Sequence, residues 1–494
     1  MHPASKLSSQ PESQRFLLAR SGGIVARIQK FTTRPLPFLC ASCGEHSSRL
    51  LISDIRSPML NFPPAMDFSF SDHQLLIRDT VRDFMFTEVR LHVKDWERTD
   101  HFPLDAIQKL GALGCCGMLV PEEWGGSALD SISYVLMLEE VARVHAAMST
   151  ALSVTNSAVQ LPILAFATDD QKCRYLRRLA SGEILGAFCL TEPAAGSDAA
   201  GIQCTAVRCG PEQNCHAERS EGSASSVSSS THPFTHYKLN GTKTWVTNGS
   251  AAGVYIVFAK TDPAAAGKGI TAFLVEPTFP GFKIGRHEDK MGQRSSPSVE
   301  IILNDCLVPA SNRLGEEGQG LKIALSALDG GRIGIAALAV GLAQAALDES
   351  TQYARARKAF GKSIGEFQAI QWMLADMHTE IEAARGLLYH AAFLKDRSSI
   401  PVAQASRPVA FPSSASHGSR ITSHASAASR AKLYASEMVN RVVYKAVQIH
   451  GSLGYSRESD VERMYRDARV ITIYEGTSEI QRTIIARDLL NRAK

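Results

Sequence analysis

The chain has 494 residues, 44% of them hydrophobic and 21% charged, which is enough to bury large cores in two to four domains. Fifty-three Lys and Arg against 49 Asp and Glu leave a formal net charge of +4, which excludes a dedicated polycation for nucleic acid. No uninterrupted run of 18 apolar residues marks a membrane span. The ten cysteines are scattered. Cys40 and Cys43 form one CxxC without a second pair of ligands, so no metal site is expected and the thiols read as free.

Residues 1–65 stand apart. They hold eight Lys and Arg, only Glu12, Glu45 and Asp54 as acids, and many Ser and Pro. That composition fits an organellar transit peptide. It also fits upstream sequence translated because the start was set too early, and this second reading is preferred. Met66-Asp67-Phe68 then opens the patterned chain, with Ser71 as N-cap, and a protein starting at Met66 is expected to be as active as the full chain. The first alternative would place the protein in the mitochondrial matrix, the second in a bacterial cytoplasm.

Residues 66–183 read as a helical domain. Leu75, Leu76, Val81, Phe84 and Met85 recur at helical spacing between Ser71 and Val93. Leu104 to Leu113 and Ser131 to Val144 repeat the pattern, with a turn at 121–126 between them. Residues 184–310 change to short β-rich runs at 186–191, 237–239, 244–247, 254–260, 271–275 and 299–303. Asn240-Gly241 signals a hairpin between two of them. Residues 311–494 return to helices at 321–358, 366–396, 427–450 and 478–491. This order predicts a segregated α+β fold rather than alternating βαβ units.

Two Ser- and His-rich segments interrupt the pattern, about 210–236 in the β region and 403–425 in the last helical region. Neither has an apolar period to bury, so both are expected to be protruding, protease-sensitive loops remote from the site. A regulatory or metal-binding loop is the alternative for each. Dinucleotide and phosphate signatures are absent. Gly111, Gly114 and Gly117 have the wrong spacing, and Gly361-Lys362-Ser363 lacks the first P-loop glycine, since position 356 is Ala356.

Two stretches carry chemistry. At 187–198 a predicted strand ends in small, hydroxyl-bearing and Gly residues, which lets backbone approach a ligand. At 473–482, Ser478 and Gln481 spell a capping box, placing Glu475 on the turn before a helix and after the apolar run 470–474. Desolvation raises the pKa of such a carboxylate and the helix N-terminus lowers it. A tuned general base and a surface Glu serving the helix dipole are both open on this fact alone.

The motifs AFCLTEPAAGSDAAG, KLNGTKTWVTNG, LDGGRIGIAA, RKAFGKSIGEFQAIQ, QIHGSLGY, YRDAR and IYEGTSEIQR follow one another in this chain. In that order they resemble the acyl-CoA dehydrogenases from Met66 to the C-terminus, apart from the two insertions, most nearly the short-chain, butyryl-CoA type. The resemblance implies an N-terminal helical domain, a middle β-barrel and a C-terminal four-helix bundle, assembled as a homotetramer. It implies FAD as cofactor, a short-chain acyl-CoA as substrate and an electron-transferring flavoprotein as electron acceptor, with no nucleic acid and no membrane span.

By resemblance, Glu475 takes the α-proton. Its own backbone N–H and the flavin ribityl 2′-hydroxyl polarise the thioester carbonyl. In other branches of the family the base precedes the Arg of the LDGGR-type motif. Here that position is Gly331, which agrees with Glu475. Phe188, Leu190, Thr191, Ser197, Trp245, Val246 and Thr247 are implied around the flavin. Arg357, Phe360, Gln368, Gln448, Ile449, Gly451 and Ser452 are implied on the rest of FAD, from a neighbouring subunit. Ser452 departs from the glycine usual there. Thr477 and Glu479 complete the flavin contacts. Ser197, Asp329, Arg332, Gly476 and Arg487 are implied at the acyl-CoA, the three charged ones at its CoA end. The competing readings are an oxidase using oxygen, which peroxide release would reveal, and a non-catalytic acyl-CoA-binding relative, which would lack flavin.

Overall fold

The computed structural model describes residues 69–210, 234–399 and 417–492. Cys40, Cys43, the composition break at 65/66 and residues 211–233 and 403–416 of the two insertions lie outside them.

Ser71 caps the first helix, α1 (Asp72–Phe84). Its hydroxyl accepts from Gln74 N–H while the Gln74 side chain accepts from Ser71 N–H, a complete capping box. A π-turn at Met85–Val89 carries the chain into α2 (Val93–Thr99), and α3 (Leu104–Ala112) follows. Asp130 caps α4 (Ser131–Val144) by accepting from Ser133 N–H. Then come α5 (Ala146–Ser153), α6 (Leu161–Phe166) and α7 (Asp169–Ala180), the last capped by a Thr168–Gln171 box.

The middle of the chain is one eight-stranded sheet. Its strands are β1 (Leu185–Cys189), β2 (Thr205–Cys209), β3 (His236–Thr247), β4 (Ala252–Lys260), β5 (Ile270–Val275), β6 (Phe282–His287), β7 (Ser298–Pro309) and β8 (Arg313–Leu314). The order is β6-β7-β3-β2-β4-β5-β8, with β1 parallel to β4. The hairpin expected at Asn240-Gly241 is not there. β3 runs straight through it, with a bulge where the register to β7 slips between Leu239 and Gly241. The Asn240 amide bonds Asp305 across the sheet at 2.9 Å, so it spends its turn-forming side chain on β7 instead. Gly241 sits at φ +142°, and a Cβ there would lie 2.2 Å from Cys204 Sγ.

The last region opens with α8 (Gly320–Ala356), roughly 55 Å long at 1.5 Å per residue. A two-residue ribbon, β9 (Lys358–Ala359) with β10 (Lys362–Ser363), occupies the P-loop-like stretch and leads to α9 (Gln368–Ser399). Next are α10 (His417–His450), α11 (Asp460–Ala468) and α12 (Ser478–Arg492). α8, α9 and α10 pack on one another, α12 lies on α10, and α4 lies on α8. The segment 403–425 was expected to be wholly loop. Its last residues, from His417, instead belong to α10, which extends the pattern read at 427–450.

Among the described residues α8 is the one helix long and apolar enough to cross a membrane, and its best window has a mean hydropathy of 1.6. Some 78% of that window is buried inside the protein, as a core helix requires. Ile333, Ile335, Leu338, Val340 and Leu342 are buried there, each contributing roughly 1.5–3 kcal/mol.

Candidate active site

Glu475 stands where α8, α10 and the 473–477 turn converge. It has φ +54°, followed by Gly476 at +86°. A left-handed non-glycine residue costs about 1–2 kcal/mol, so the surroundings must hold the turn. Several groups do so. Gln481 Nε2 donates to Glu475 O at 3.1 Å and to Gly476 O at 2.9 Å. Lys432 Nζ, from α10, donates to Gly476 O at 2.8 Å. On the other side, Tyr474 OH meets Thr150 Oγ1 and Gln293 Nε2, each at 3.4 Å.

The capping box read at Ser478 and Gln481 is therefore not formed. Thr477 is the cap, its hydroxyl accepting from Ile480 N–H at 3.4 Å. Ser478 turns inward and is buried. Gln481, freed from the box, ties down the two carbonyls of the left-handed turn.

The Glu475 side chain lies against Gly331 of α8. A Cβ at 331 would fall 2.5 Å from Glu475 Oε2 and 2.7 Å from its Cδ. Only glycine leaves room for the carboxylate at that point. Oε2 is buried without a hydrogen-bond partner. Burial pushes the Glu475 carboxyl up to about 7, with the Arg332 and Lys432 cations pulling the other way. Such a group is half ionised near neutrality, which suits a carboxylate that takes up and releases a proton. Arg332 is itself buried, bonded to Asp329 at 2.5 Å, and its Nε has no hydrogen-bond partner. Burial also raises the Asp329 carboxyl. Partnerless buried polar atoms gathered at one place point to a site built for a ligand.

The β-sheet supplies a second wall. Phe188 lies near the end of β1 and Leu190 just beyond it, and Thr191 O accepts from Thr244 N–H at 2.9 Å. β3 bulges between Lys243 and Val246, and Trp245 sits in that bulge at φ +58°, 58% exposed despite its size. Val246 is buried, and Thr247 is partly buried beside it. Ser197 is exposed on the loop after β1, next to Gly196, where a Cβ would meet nothing.

Sequence reasoning missed what holds this wall. Glu192 and Lys243 form a fully buried ion pair at 2.7 Å. Glu192 also accepts from Gln203 and Cys204 N–H, and Lys243 also reaches Leu190 O at 3.3 Å. Asn248, at φ +63°, donates to Ala151 O and Gly186 O at 3.1 Å. Both Glu192 and Lys243 lie inside quoted motifs, but their pairing is non-local. Lys432 lies outside every motif.

The remaining candidates form a separate, exposed group. Arg357, Phe360, Gln368, Gln448, Gly451 and Ser452 are all exposed, Phe360 by 95%, with Ile449 buried beneath them. They gather where α8 and α10 end, joined by the stacked rings of Tyr353 and His450 at 4.4 Å. Phe360 is another left-handed non-glycine residue, at φ +50°. This end lies roughly 37 Å along α8 from Gly331, and roughly 24 Å along α10 from Lys432. Glu479 is exposed at the start of α12, and Arg487 is exposed farther along it, roughly 13 Å past Ser478. The structure thus brings Asp329, Arg332, Gly476 and Glu475 together, and leaves Arg487 apart from them.

Comparisons with known proteins agree over the whole described chain. Family models for the acyl-CoA dehydrogenase N-terminal, middle and C-terminal domains match residues 71–183, 187–306 and 318–490. A "probable acyl-CoA dehydrogenase" of Bacillus subtilis is 45% identical over 426 residues, 86% of this chain and 100% of the relative. A caffeyl-CoA reductase–Etf complex subunit of Acetobacterium woodii is 40% identical over 424 residues, 86% and 100% of the two chains. The solved structure of butyryl-CoA dehydrogenase from Megasphaera elsdenii matches with a TM-score of 0.74 at 40% identity, covering 86% of this chain and all of that one.

Proposed function

The chain belongs to the acyl-CoA dehydrogenase family, and from that premise we propose that it oxidises a short-chain acyl-CoA between Cα and Cβ, with Glu475 as the base that removes the α-proton. The observation that carries the reading is the buried, partnerless Glu475 Oε2, lodged against Gly331 in a turn fixed from three sides.

The α-proton passes to the Glu475 carboxylate. The thioester carbonyl, polarised by the Glu475 backbone N–H, carries the developing charge and so acidifies the α-proton, and a donor of this kind is worth about 2.7–4 kcal/mol. Bound beside this carboxylate, FAD would supply the acceptor for the β-hydrogen as hydride, which balances loss of the α-proton to Glu475 and would give the trans-2-enoyl-CoA. The chain's residues fit that group. Trp245 offers an exposed aromatic face, held out by its bulge. Phe188, Leu190, Thr191 and Ser197 come from β1 and the loop after it, Val246 and Thr247 from β3, and Thr477 and Glu479 from the start of α12.

Arg357, Phe360, Gln368, Gln448, Ile449, Gly451 and Ser452 serve the remainder of FAD on a second copy of the chain. Their exposure and their distance from Glu475 support this division and, with it, a homotetramer. The buried Arg332 stands beside the base rather than at a distant phosphate. It orients Asp329 and lowers the pKa of Glu475 from α8. The electrons leave to an electron-transferring flavoprotein.

The test is anaerobic titration of the purified protein with butyryl-CoA. A yellow preparation whose flavin absorbance bleaches supports the reading. Protein that holds no flavin, or flavin that stays oxidised under every short acyl-CoA, contradicts it.

A further inference from the structure

α10 faces α8 with a stripe of small side chains. Ala427, Ala428, Ala431 and Ala435 are buried, as are Ser429 and Ser436. Small residues let two helix backbones approach closely, and they leave no other role for a long side chain. Yet Lys432 sits in the middle of the stripe with its whole side chain buried. A lone ammonium in such a place is costly unless it is paired and bonded. Its Nζ donates to Gly476 O at 2.8 Å, the carbonyl that follows Glu475.

We propose that Lys432 is the positioning residue of this active site, clamping the left-handed Glu475–Gly476 turn and supplying the charge that keeps the base ionisable. The inference rests on the reading of Glu475 as base.

The two functions come from one atom. As a donor, Lys432 Nζ shares Gly476 O with Gln481 Nε2, which fixes the peptide on the far side of Glu475. As a cation, it faces the Glu475 carboxylate from α10 while Arg332 faces it from α8. The other titratable groups around the pair are Tyr134 from α4, Tyr474 beside Glu475, and Glu437 and Glu479 around Lys432. Arg332 divides its charge between Asp329, bonded through Nη1, and Glu475. Lys432 adds the second cation, the one tied to the turn itself. Burial lowers its own pKa to about 8, so the clamp weakens when the ammonium loses its proton.

Three substitutions separate the roles. Lys432→Met removes donor and charge, Lys432→Gln keeps a donor without charge, and Lys432→Arg keeps both. Each is read by rapid-mixing flavin reduction with butyryl-CoA between pH 5.5 and about 9.5, with FAD content and acyl-CoA binding measured alongside. The expected result is retained FAD and an acid limb moved up by about one pH unit in the Met and Gln proteins, but not in the Arg protein. The rate at pH 7 falls at least tenfold in the Met protein and less in the Gln protein. A merely structural lysine would not move the acid limb.

A wild-type limb in a folded, flavin-loaded Met protein overturns the proposal. If the Met protein does not fold, the Arg protein decides. It should lose the alkaline limb that wild type shows near pH 8, and the same alkaline limb in both overturns the proposal. Glu475→Gln run in parallel keeps the two readings apart. Normal bleaching there would defeat the base itself, whereas an inert Glu475→Gln beside an unshifted Lys432→Met defeats only the clamp.

Discussion

The two ends of the helical bundle are built on opposite principles. Around Glu475 the chain is over-determined. One turn is held by Lys432, Gln481, Thr150 and Gln293, and a glycine on α8 is left empty for one carboxylate. At the other end Arg357, Phe360, Gln368 and Gln448 point into solvent with a strained Phe360 among them. Both ends carry left-handed non-glycine residues, but only the first has its own chain packed around the strain. The buried end holds the carboxylate we propose as the base, and the exposed end is where we propose that another copy of the chain completes the FAD site.

Substitutions on the two ends should therefore fail differently. The largest effect belongs to Glu475→Gln, which should retain FAD and bind acyl-CoA while flavin reduction falls at least 10³-fold, on the order of what a positioned base contributes. Bleaching near the wild-type rate would remove Glu475 from the mechanism.

Gly331→Ala comes next. Its Cβ must displace the Glu475 carboxylate, and a misplacement of about 1 Å can cost roughly 10²-fold. We expect reduction slowed about 10- to 100-fold with FAD content unchanged. An unaffected rate would mean that Glu475 works from somewhere other than the face of α8.

Arg357→Ala attacks the exposed end. Loss of a charge-assisted contact should weaken FAD binding about tenfold, while protein saturated with FAD reduces at the wild-type rate. Equal FAD affinity in the two proteins would break the contrast between the ends.

The smallest effect is on stability. The folded Glu475 has a pKa of about 7, above its ordinary 4.5, so its ionisation disfavours the folded state. That penalty is absent below about pH 4.5 and complete above about pH 7. Glu475→Gln removes it and should raise unfolding stability at pH 8 by on the order of 1–3 kcal/mol, with the gain fading as pH falls through 7. Denaturant titration at pH 8 and pH 5 measures the difference. A gain of the same size at both would show that the carboxylate is not strained by burial.

Local signals were readable in the sequence, and long-range ones were not. Ser71 with Gln74 announces α1 because both bonds of a capping box lie within one turn. The α8, α9 and α10 patterns are long enough to survive ambiguity. Asn240-Gly241 misled because its hairpin signal is also local, and pairing with β7 and Asp305 overrides it. Ser478 and Gln481 misled for the same reason. A box four residues long lost to the carbonyls of Glu475 and Gly476, which take the Gln481 side-chain donor instead. Glu475 itself was singled out by its motif and by the glycine at 331. Glu192, Lys243, Asn248 and Lys432 were invisible, since each acts on backbone far away in the chain.

The central claim is that the carboxylate at 475 is the group that takes the proton and sets the acid limb of the chemistry. The most direct measurement is the pH dependence of the first-order rate of flavin reduction by butyryl-CoA in the wild-type protein. The account predicts a rate that falls with a single acid limb near pH 7, where the Glu475 carboxyl takes up its proton. A limb at the ordinary carboxylate value near 4.5, or a rate that is flat from pH 5.5 to 8, would contradict it.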